Sequence, residues 1–194
     1  MSVGSLNQMI DGRPRRQELV LAASRRIAAR GLEGLRTRDV ATEVGVNVAT
    51  LHYYFPSKES LIQAVVAHAL GRFGSTLSAA ESAHVQLRDH LAALRRLLHD
   101  EPELFAVLCE LAMRAPRDPA IAGMLRQTDD PWHAYVGGLL RRAGRVADPE
   151  GAAAVVIAAI KGLSLPNLDA RRAERIEQTF RQLDLWIGLA EEEP

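Results

Sequence analysis

The sequence has few of the residues that build disulfide-bonded, zinc-binding or membrane-spanning proteins. Its 194 residues include one cysteine, Cys109, which excludes an intramolecular disulfide framework and a zinc site built from several thiolates. No stretch approaches the roughly 20 consecutive apolar residues of a membrane span. The N-terminus lacks the basic and then apolar pattern of a secretory signal. We therefore expect a cytoplasmic protein.

Lysine is also scarce, because Lys58 and Lys161 are the only two beside 22 arginines. The formal net charge is zero, yet residues 1–58 carry nine Lys or Arg and five Asp or Glu, which gives +4 and leaves −4 for the rest. The N-terminal part is therefore the better candidate for contact with a polyanion. A difference of this size is also common between the solvated faces of unrelated domains.

Recognisable catalytic patterns are missing. The six histidines form no i, i+4 pair and no HExxH, and the chain has no phosphate-binding loop, GxSxG or GxGxxG. A thiol–imidazole pair between Cys109 and His99 or His133 is conceivable, but a buried inert thiol is the favoured alternative. We expect no enzyme, no metal and no cofactor.

Apolar residues instead recur at the three- and four-residue spacing of helices nearly throughout, which predicts an all-α protein. Residues 1–12 show no sustained helical pattern and are predicted to be a flexible leader. A first helix is predicted over Arg15–Arg30, ending at Gly31, with an apolar inner face. That face consists of Leu19, Ala22, Ala23 and Ile27.

A second helix is predicted from Thr37, as its cap, to about Val44, followed by Gly45 as a left-handed turn residue. Asn47 then caps a third helix over Val48–Phe55. Two short helices joined by a turn of about four residues with glycine are typical of a helix-turn-helix, here at about 37–55. We expect this motif within a domain of residues 13–60, followed by a larger helical domain of residues 61–194.

The third helix divides into an inward and an outward side. Leu51 and Phe55 are predicted to pack, whereas Pro56 stops the helix and Ser57 caps the fourth. Lys58 at that helix N-terminus forms a candidate anion site. The alternative is that Lys58 is simply a solvated residue of the first turn and that Tyr53 and Tyr54 are partly buried packing residues. The outward side offers small, hydroxyl-bearing and imidazole groups suited to DNA: Val48, Ala49, Thr50, His52, Tyr53 and Tyr54.

Residues 13 to about 73 resemble the DNA-binding domain of the tetracycline-repressor (TetR) family of transcriptional regulators. The resemblance rests on Gly31-Leu32-Glu33-Gly34-Leu35-Arg36-Thr37, Asp39-Val40-Ala41, Val44-Gly45-Val46, Thr50-Leu51-His52-Tyr53-Tyr54-Phe55 and Ser57-Lys58-Glu59-Ser60-Leu61. The family often has tyrosine where this chain has His52, and serine where it has Asn47.

This resemblance implies a three-helix DNA-binding domain joined to a helical ligand-binding and dimerisation domain. Thr37 and Lys58 would hold phosphates, and Tyr53 and Tyr54 would contact the DNA backbone. The major groove would be read by Val48, Ala49, Thr50 and His52. The implied function is a ligand-responsive repressor that binds a near-palindromic operator as a homodimer. The alternative is a helical ligand-sensing or protein-interaction module that has lost DNA binding.

Four Asp residues closely followed by proline predict helix starts in the second domain: Asp100, Asp118, Asp130 and Asp148. The helix predicted over Pro149–Leu165 has almost no polar face, so it is buried within one subunit or against a symmetry mate. The resemblance favours a dimer interface formed by this helix and the one over Arg171–Leu189. The residues expected there are Ala153, Val156, Ile157, Ile160, Ile176, Phe180, Leu183 and Ile187.

A ligand pocket is expected among the apolar and aromatic residues of the middle helices, although each of them is more often a packing residue. A mainly apolar lining would suit a small apolar or aromatic effector. The polar groups considered are His68, Glu110, His133 and Tyr135. The pocket candidates are Phe73, Phe105, Cys109, Met113, Trp132 and Tyr135.

Overall fold

The computed structural model describes residues 3–165 and 171–189, with side chains described from Arg13 onward. Within these residues the secondary structure is nine α-helices and one short 3₁₀ turn at Ala115–Arg117, with no strand, which confirms the all-α prediction. None of the helices in this part of the chain is both long and apolar enough to cross a bilayer. The helices are α1 Val3–Arg30, α2 Thr37–Val44, α3 Val48–Tyr54, α4 Lys58–Gly74, α5 Ala83–Asp100, α6 Pro102–Arg114, α7 Pro119–Ala143, α8 Pro149–Ser164 and α9 Arg172–Trp186.

The chain divides into two compact units between Ala69 and Leu70, inside α4. The sequence placed this boundary after residue 60. Leu61, Val65 and Ala69 are fully buried along α4, so the apolar face of this helix continues well past its first turn. The first unit therefore keeps most of α4, and only the last part of the helix belongs to the second.

The start of α1 differs from the expected flexible leader, because the helix already begins at Val3 and contains Pro14. Leu6, Gln8 and Met9 have high helix propensity, which the search for apolar periodicity overlooked. The predicted inner face is confirmed, since Leu19, Ala22, Ala23 and Ile27 are all buried. Gly31 follows α1 with φ 68°.

Ion pairs fasten α1 to α2. The Arg25 Nη2 and Arg26 Nε atoms lie 2.8 and 2.9 Å from the two carboxylate oxygens of Glu43, and Arg26 also pairs with Asp39 at 3.3 Å. Burial acts to raise the pKa of Glu43, but the hydrogen bond and charge of Arg25, with the charge of Arg26, bring it below its ordinary value. Asp39 thus serves the helix pair as well as the first turn of α2.

The second unit is built around α7, which packs on α5, α6 and α8, while α9 covers α5 and α8. Asp118 and Asp148 cap α7 and α8 as predicted, accepting from the amides of Ile121 (3.2 Å) and Gly151 (3.0 Å). The start predicted with Pro102 in its first turn is confirmed, because α6 begins at Pro102, but its cap position is Glu101 and Asp100 is the last residue of α5. The start predicted at Asp130 is wrong, because α7 continues through it.

Pro131 lies inside α7, which runs unbroken past it. A proline in a helix removes one backbone donor and crowds the preceding turn. The residues after Pro131 are strongly buried, notably Trp132, Val136 and Leu139, so tertiary packing compensates for the lost hydrogen bond. Pro131 therefore lies within α7 and does not mark the start of a new helix.

A fully bonded polar network crosses this core. His90 is completely buried, and its Nε2 accepts from Trp132 Nε1–H at 2.8 Å. The proton therefore sits on Nδ1, which faces the Thr76 hydroxyl at 3.0 Å and the Thr76 carbonyl at 3.1 Å. The Thr76 hydroxyl in turn donates to the Phe73 carbonyl at 2.7 Å. Burial lowers the pKa of His90, against the opposing effect of its hydrogen bond to the Thr76 backbone, so the ring is held neutral.

The residues named for a dimer interface all lie inside the single chain. Each of the eight is buried in the protomer, so they form core between α8, α9 and their neighbours, and they are not the surface a partner would meet. The helix pattern could not separate the two sides, because α8 is apolar almost all round. Its outer side exposes Ala154, Val155 and Ala158, so α8 is not buried on all sides either.

Candidate nucleic-acid interface and ligand cavity

The turn between α2 and α3 has the geometry of a helix-turn-helix. Gly45 adopts φ 73°, in the left-handed region that favours glycine, and its amide and that of Val46 close the end of α2. Asn47 then caps α3 as predicted, because its Oδ1 accepts from the Thr50 amide at 2.7 Å. Leu51 and Phe55 are buried, also as predicted, and they hold the seven-residue helix against the first unit.

The outward side of α3 is formed by the residues that the sequence singled out. Ala49, His52 and Tyr53 are exposed, with Tyr53 81% exposed, whereas Val48, Thr50 and Tyr54 are half-buried. A tyrosine that is 81% exposed contributes little to the core, so the alternative of a partly buried packing aromatic does not hold for Tyr53. Tyr54 meets its ring edge to face at 5.2 Å between centroids.

Thr50 has a more defined role than the sequence suggested. Its hydroxyl donates to Asn47 Oδ1 at 2.9 Å, and the same oxygen accepts the Thr50 amide. Because a hydroxyl has one donor and two lone pairs, Thr50 is left with acceptor capacity only. An acceptor suits the exocyclic amino groups of adenine or cytosine in the major groove.

The prediction that Thr37 caps α2 is wrong. Thr37 is the first residue of the helix and Arg36 is the cap position, without a side-chain hydrogen bond. The amides of Asp39 and Val40 point instead to the Arg36 carbonyl, at 3.1 and 3.2 Å. The Thr37 hydroxyl is therefore not needed to satisfy these two amides. Its contact with a phosphate stays a prediction.

Lys58 lies at the N-terminus of α4, where Ser57 is the cap. The Ser60 amide donates to Ser57 Oγ at 3.1 Å, and the Ser57 amide donates back to Ser60 Oγ at 3.2 Å, so the cap is reciprocal. Lys58 Nζ donates to the Leu32 carbonyl at 3.2 Å. Its ammonium has three donors, which leaves two for an external acceptor. The link to Leu32 was not visible in the sequence, since the two residues are 26 positions apart.

A further contact that the sequence did not reveal holds the end of α3. The Arg16 guanidinium lies over the Phe55 ring, 4.9 Å from its centroid. A cation in this position is attracted by the negative face of the ring. Arg16 thereby connects α1 to the residue that ends α3, and it adds positive charge to the first unit.

The second unit contains a cavity of about 460 Å³, open to solvent and mainly apolar. Five of the six predicted pocket residues line it, whereas Tyr135 does not. The Tyr135 hydroxyl instead contacts the Ser78 backbone at 3.4 Å, and its ring stacks edge to face on His90. The lining comprises Leu70, Phe73, Phe105, Leu108, Cys109, Ala112, Met113, Ala115, Ala122, Leu125, Arg126, Thr128, Asp129, Trp132, Ile160, Lys161, Ser164 and Leu165.

The polar groups of the cavity are not those that the sequence suggested. His68, Glu110, His133 and Tyr135 are outside the lining, which instead includes Arg126, Asp129 and Lys161. Lys161 Nζ and Asp129 Oδ1 are 2.5 Å apart. Asp129 is on α7 and Lys161 is on α8, far apart in the sequence, so no local sequence pattern could indicate that they pair.

Two of the apolar lining residues are fixed by the polar network. Trp132 is oriented by its bond to His90, and Phe73 packs on the Trp132 ring edge to face at 4.5 Å between centroids. Cys109 is less suited to nucleophilic chemistry, because burial and the neighbouring Glu110 charge raise the pKa of its thiol. The cavity is therefore a pre-formed apolar space and has no activated thiolate.

Models of two known domain families match the chain. Residues 19–65 match bacterial regulatory proteins of the tetR family, and residues 82–183 match the tetracyclin repressor-like C-terminal domain. The second match alone covers more than half of the chain. The first covers the helix-turn-helix and its flanking helices.

Among curated proteins, the HTH-type transcriptional regulator BetI of Brucella anthropi is 39% identical over 80 residues, which are 41% of each chain. BetI of Rhizobium meliloti is 36% identical over 83 residues, which are 43% of this chain and 41% of the relative. The chain thus spans about two-fifths of the length of these relatives. The likeness is partial on both sides.

Solved structures extend the likeness to nearly the whole chain. A TetR transcription regulator from Haloarcula marismortui superposes with a TM-score of 0.78 at 21% identity, covering 91% of this chain and 98% of the other. A transcriptional regulator from Saccharomonospora viridis, solved in complex with choline, has a TM-score of 0.71 at 26% identity, covering 89% and 95%. At 21% identity, the likeness to the Haloarcula marismortui structure shows a shared fold.

Proposed function

The chain belongs to the TetR family of bacterial transcriptional regulators, and on that premise we propose that it is a homodimeric repressor that binds a near-palindromic operator and releases it when a small effector binds. The observation that carries the proposal is the exposed side of α3 beside the capped start of α4. On this surface, the outward side chains of α3, which could contact bases, lie close in sequence to the Lys58 ammonium, which has donors left for a phosphate. The family is one of transcription regulators and not of enzymes.

DNA contact is assigned by chemistry. Val48, Ala49, Thr50 and His52 would face the base edges, because they lie on the outward side of a helix that fits the major groove. Tyr53 and Tyr54 offer hydroxyls to the DNA backbone. Lys58 would hold a phosphate at the start of α4, where the helix dipole adds to the ammonium charge. Thr37 would contribute a hydroxyl at the start of α2.

Dimer formation is proposed through the outer sides of α8 and α9. Val155, Leu185 and Trp186 are 50, 57 and 51% exposed there, which is unusual for large apolar residues unless a partner covers them. They replace the buried residues first named for this interface. A two-fold dimer would set two copies of α3 about 34–36 Å apart, one turn of DNA, and hence favours a palindromic operator.

Effector binding is proposed for the cavity of the second unit. Its volume lies in the range of about 300–1,000 Å³ that is usual for small-molecule sites. The choline complex of the Saccharomonospora viridis regulator supports ligand binding in a protein of similar fold. Release of DNA would require only that the ligand binds better to the arrangement that does not fit the operator, and the shift cannot exceed that difference in affinity.

The test is selection of bound sequences from a random DNA pool with the full chain, followed by footprinting and titration at several salt concentrations. We expect a palindrome with two half-sites one helical turn apart. Lys58→Ala should weaken specific and random DNA about equally and reduce the slope of log affinity against log salt by ~0.9. Arg88→Ala, an exposed arginine on α5 in the other unit, should leave this slope unchanged.

The competing hypothesis is a helical module that no longer binds DNA. It would give a dimer in solution whose affinity for DNA is weak, insensitive to salt and equal for all sequences. That result would overturn the proposal for α3. An unchanged salt slope in Lys58→Ala, with sequence preference retained, would overturn only the phosphate contact of Lys58.

A further inference from the structure

The cavity has one charged edge, which distinguishes it from a purely apolar pocket. Arg126, Asp129 and Lys161 all lie on its lining, two of them cationic and one anionic. Asp129 follows Arg126 by three positions on α7 and pairs with Lys161 of α8, so the three residues form one group. The remaining lining is mainly apolar, with Thr128 and Ser164 as its hydroxyl-bearing members. A ligand that fills this space would therefore place its apolar body in the interior and any polar group at this edge.

The charges at the edge do not cancel. Asp129 Oδ1 pairs with Lys161 Nζ at 2.5 Å, whereas Arg126 has no ion-pair partner within residues 13–165 and 171–189. The other oxygen of Asp129 lies 4.0 Å from His133 Nε2, so this carboxylate has a second basic neighbour besides Lys161. The edge thus holds one unpaired cation and one that is shared with a single carboxylate, which favours an anionic ligand group.

The aromatic residues argue against a cationic ligand. Binding of an alkylammonium group uses open faces of aromatic rings aimed at one point. Phe73 and Trp132 stand edge to face at 4.5 Å and are 9 and 6% exposed, so they occupy each other. Phe105 is 1% exposed. These three rings therefore offer little open face to a cation, and the mainly apolar lining suits a hydrocarbon body.

We propose that the effector is an amphiphilic carboxylic acid whose carboxylate is bound by Lys161 and Arg126 and whose hydrocarbon part fills the cavity. The inference rests on the proposed role of the cavity as the effector site. Guanidinium and ammonium groups bind carboxylates through charge-assisted hydrogen bonds, which are stronger than neutral ones. The carboxylate competes with Asp129 for Lys161, so the Asp129–Lys161 pair tunes the affinity without touching the hydrocarbon part.

The experiment is calorimetric titration of the full chain, without DNA, with three probes of equal chain length: decanoate, decan-1-ol and decyltrimethylammonium. The two ions are kept below their micellar concentrations and the alcohol below its solubility limit. We expect decanoate to bind at least about tenfold more tightly than decan-1-ol, the effect of one charge-assisted hydrogen bond. Decyltrimethylammonium should bind least. Cys109→Trp, which fills the cavity, should weaken all three probes.

Three variants separate the charge from the apolar contribution. Lys161→Gln and Arg126→Gln should each reduce decanoate affinity and leave decan-1-ol unchanged, whereas the exposed control Arg88→Gln should change neither. Asp129→Asn should raise decanoate affinity, because the competitor for Lys161 loses its charge. The same variant would lower the affinity of a cationic ligand. The direction in which Asp129→Asn changes the affinity therefore decides between an anionic and a cationic ligand. Circular dichroism of each variant verifies that the fold is kept.

Equal affinities for the three probes, tightest binding of decyltrimethylammonium, a loss of decanoate affinity in Asp129→Asn, or no binding of any probe would each overturn the inference. None of these results depends on DNA. Operator binding by the unliganded protein is measured separately, so failure of the proposed DNA-binding function and failure of this ligand assignment give different results. If decanoate binds as expected but leaves operator affinity unchanged, the assignment of the ligand class is supported, and the proposal that this ligand releases the operator is contradicted.

Discussion

The two units of the protein place their recognition chemistry differently along the chain. In the first unit, one stretch from Gly45 to Glu59 contains the turn, two caps and the outward side of α3. In the second, the cavity is lined by residues from α4, α6, α7 and α8, spread from Leu70 to Leu165. A surface for a fixed partner, DNA, can be built from consecutive residues. A cavity deep enough to hold a small molecule arises here from the packing of separate helices.

The largest expected effect comes from truncating one core residue in each unit. Leu51 in α3 and Ile160 in α8 are both essentially fully buried. Leu51→Ala and Ile160→Ala should each lower the free energy of unfolding by about 2–5 kcal/mol, through lost burial and the space left behind. Urea denaturation followed by circular dichroism measures this loss.

The two variants should then differ in function. Leu51→Ala should lose operator affinity and keep probe binding in the cavity, whereas Ile160→Ala, which enlarges the cavity, should alter probe binding and keep operator affinity at low temperature. Fluorescence anisotropy on operator DNA and calorimetry give the two readouts. Loss of both functions in both variants would contradict the separation of roles between the units.

The next effect concerns the buried network of the second unit. His90→Ala would leave the Trp132 indole N–H without its acceptor and the Thr76 hydroxyl without one partner. We expect a loss of about 1–3 kcal/mol, beyond any effect of volume, because buried donors would be unsatisfied. Probe affinity should fall as well, since Trp132 lines the cavity. The exposed His52→Ala, in the first unit, should leave stability unchanged within about 0.5 kcal/mol.

The same network predicts a dependence of stability on pH. The pKa of His90 is lowered in the folded protein, so below about pH 6.5, the ordinary value, the unfolded chain binds the extra proton more readily. The stabilisation is therefore complete above that pH and decreases as the pH falls. Urea midpoints of the wild type and His90→Gln from neutral pH down to about 5 measure it. If the two curves run parallel, the neutral buried histidine is not the cause.

What could be predicted from the sequence follows from this division. Asn47, Ser57 and Gly45 were identified correctly because caps and left-handed turns are satisfied by residues within three positions. Five of the six residues predicted for a pocket line the cavity, because apolar residues of the middle helices face the interior of the second unit. Binding of a ligand there stays a prediction. The charged edge of the cavity was missed, because Asp129 and Lys161 are brought together only by the packing of α7 on α8.

The errors have physical causes too. Asp130 followed by Pro131 has the form of a helix start, but packing of Trp132 and its neighbours keeps α7 continuous. Helical periodicity shows that Val156 and Phe180 are apolar, and it cannot tell whether a neighbouring helix or a partner subunit covers them. Thr37 is one residue past the cap position, which a pattern of residue types does not resolve.

Helix caps allow a matched test of smaller effects. Asn47 and Asp148 each accept an amide of the first turn, at 2.7 and 3.0 Å. Asn47→Ala and Asp148→Ala should each cost about 0.5–2 kcal/mol. Thr37→Ala should cost clearly less, since its hydroxyl does not cap α2. Chemical denaturation compares the three.

Only Asn47→Ala should also change which operator is preferred, because its side chain positions the Thr50 hydroxyl. Selection from a randomised operator library measures this preference, and Asp148→Ala serves as the control. A shift in operator preference in Asp148→Ala, or no shift in Asn47→Ala, would contradict the idea that the Asn47 cap positions Thr50 for base recognition.

The smallest effect is expected for the ion pairs between helices. Glu43 in the first unit pairs with Arg25 and Arg26 at 2.8 and 2.9 Å. Glu177 in the second unit meets Arg95 at 3.5 Å and His99 at 2.9 Å, and the histidine adds an ion pair only when it is protonated. Because all these side chains are partly exposed, Glu43→Gln should cost no more than about 1 kcal/mol, and Glu177→Gln less.

The Glu43 contribution should also follow pH and salt. Its pKa is lowered in the folded state, so the stabilisation is present above about pH 4.5, the ordinary value, and is lost as the pH falls below it. Raising the salt concentration should shrink it, since partly exposed charges are screened. Urea midpoints of the wild type and Glu43→Gln at low and high salt measure the difference. A difference that survives high salt would mean that Glu43 holds α1 to α2 by packing and hydrogen bonding and not by charge.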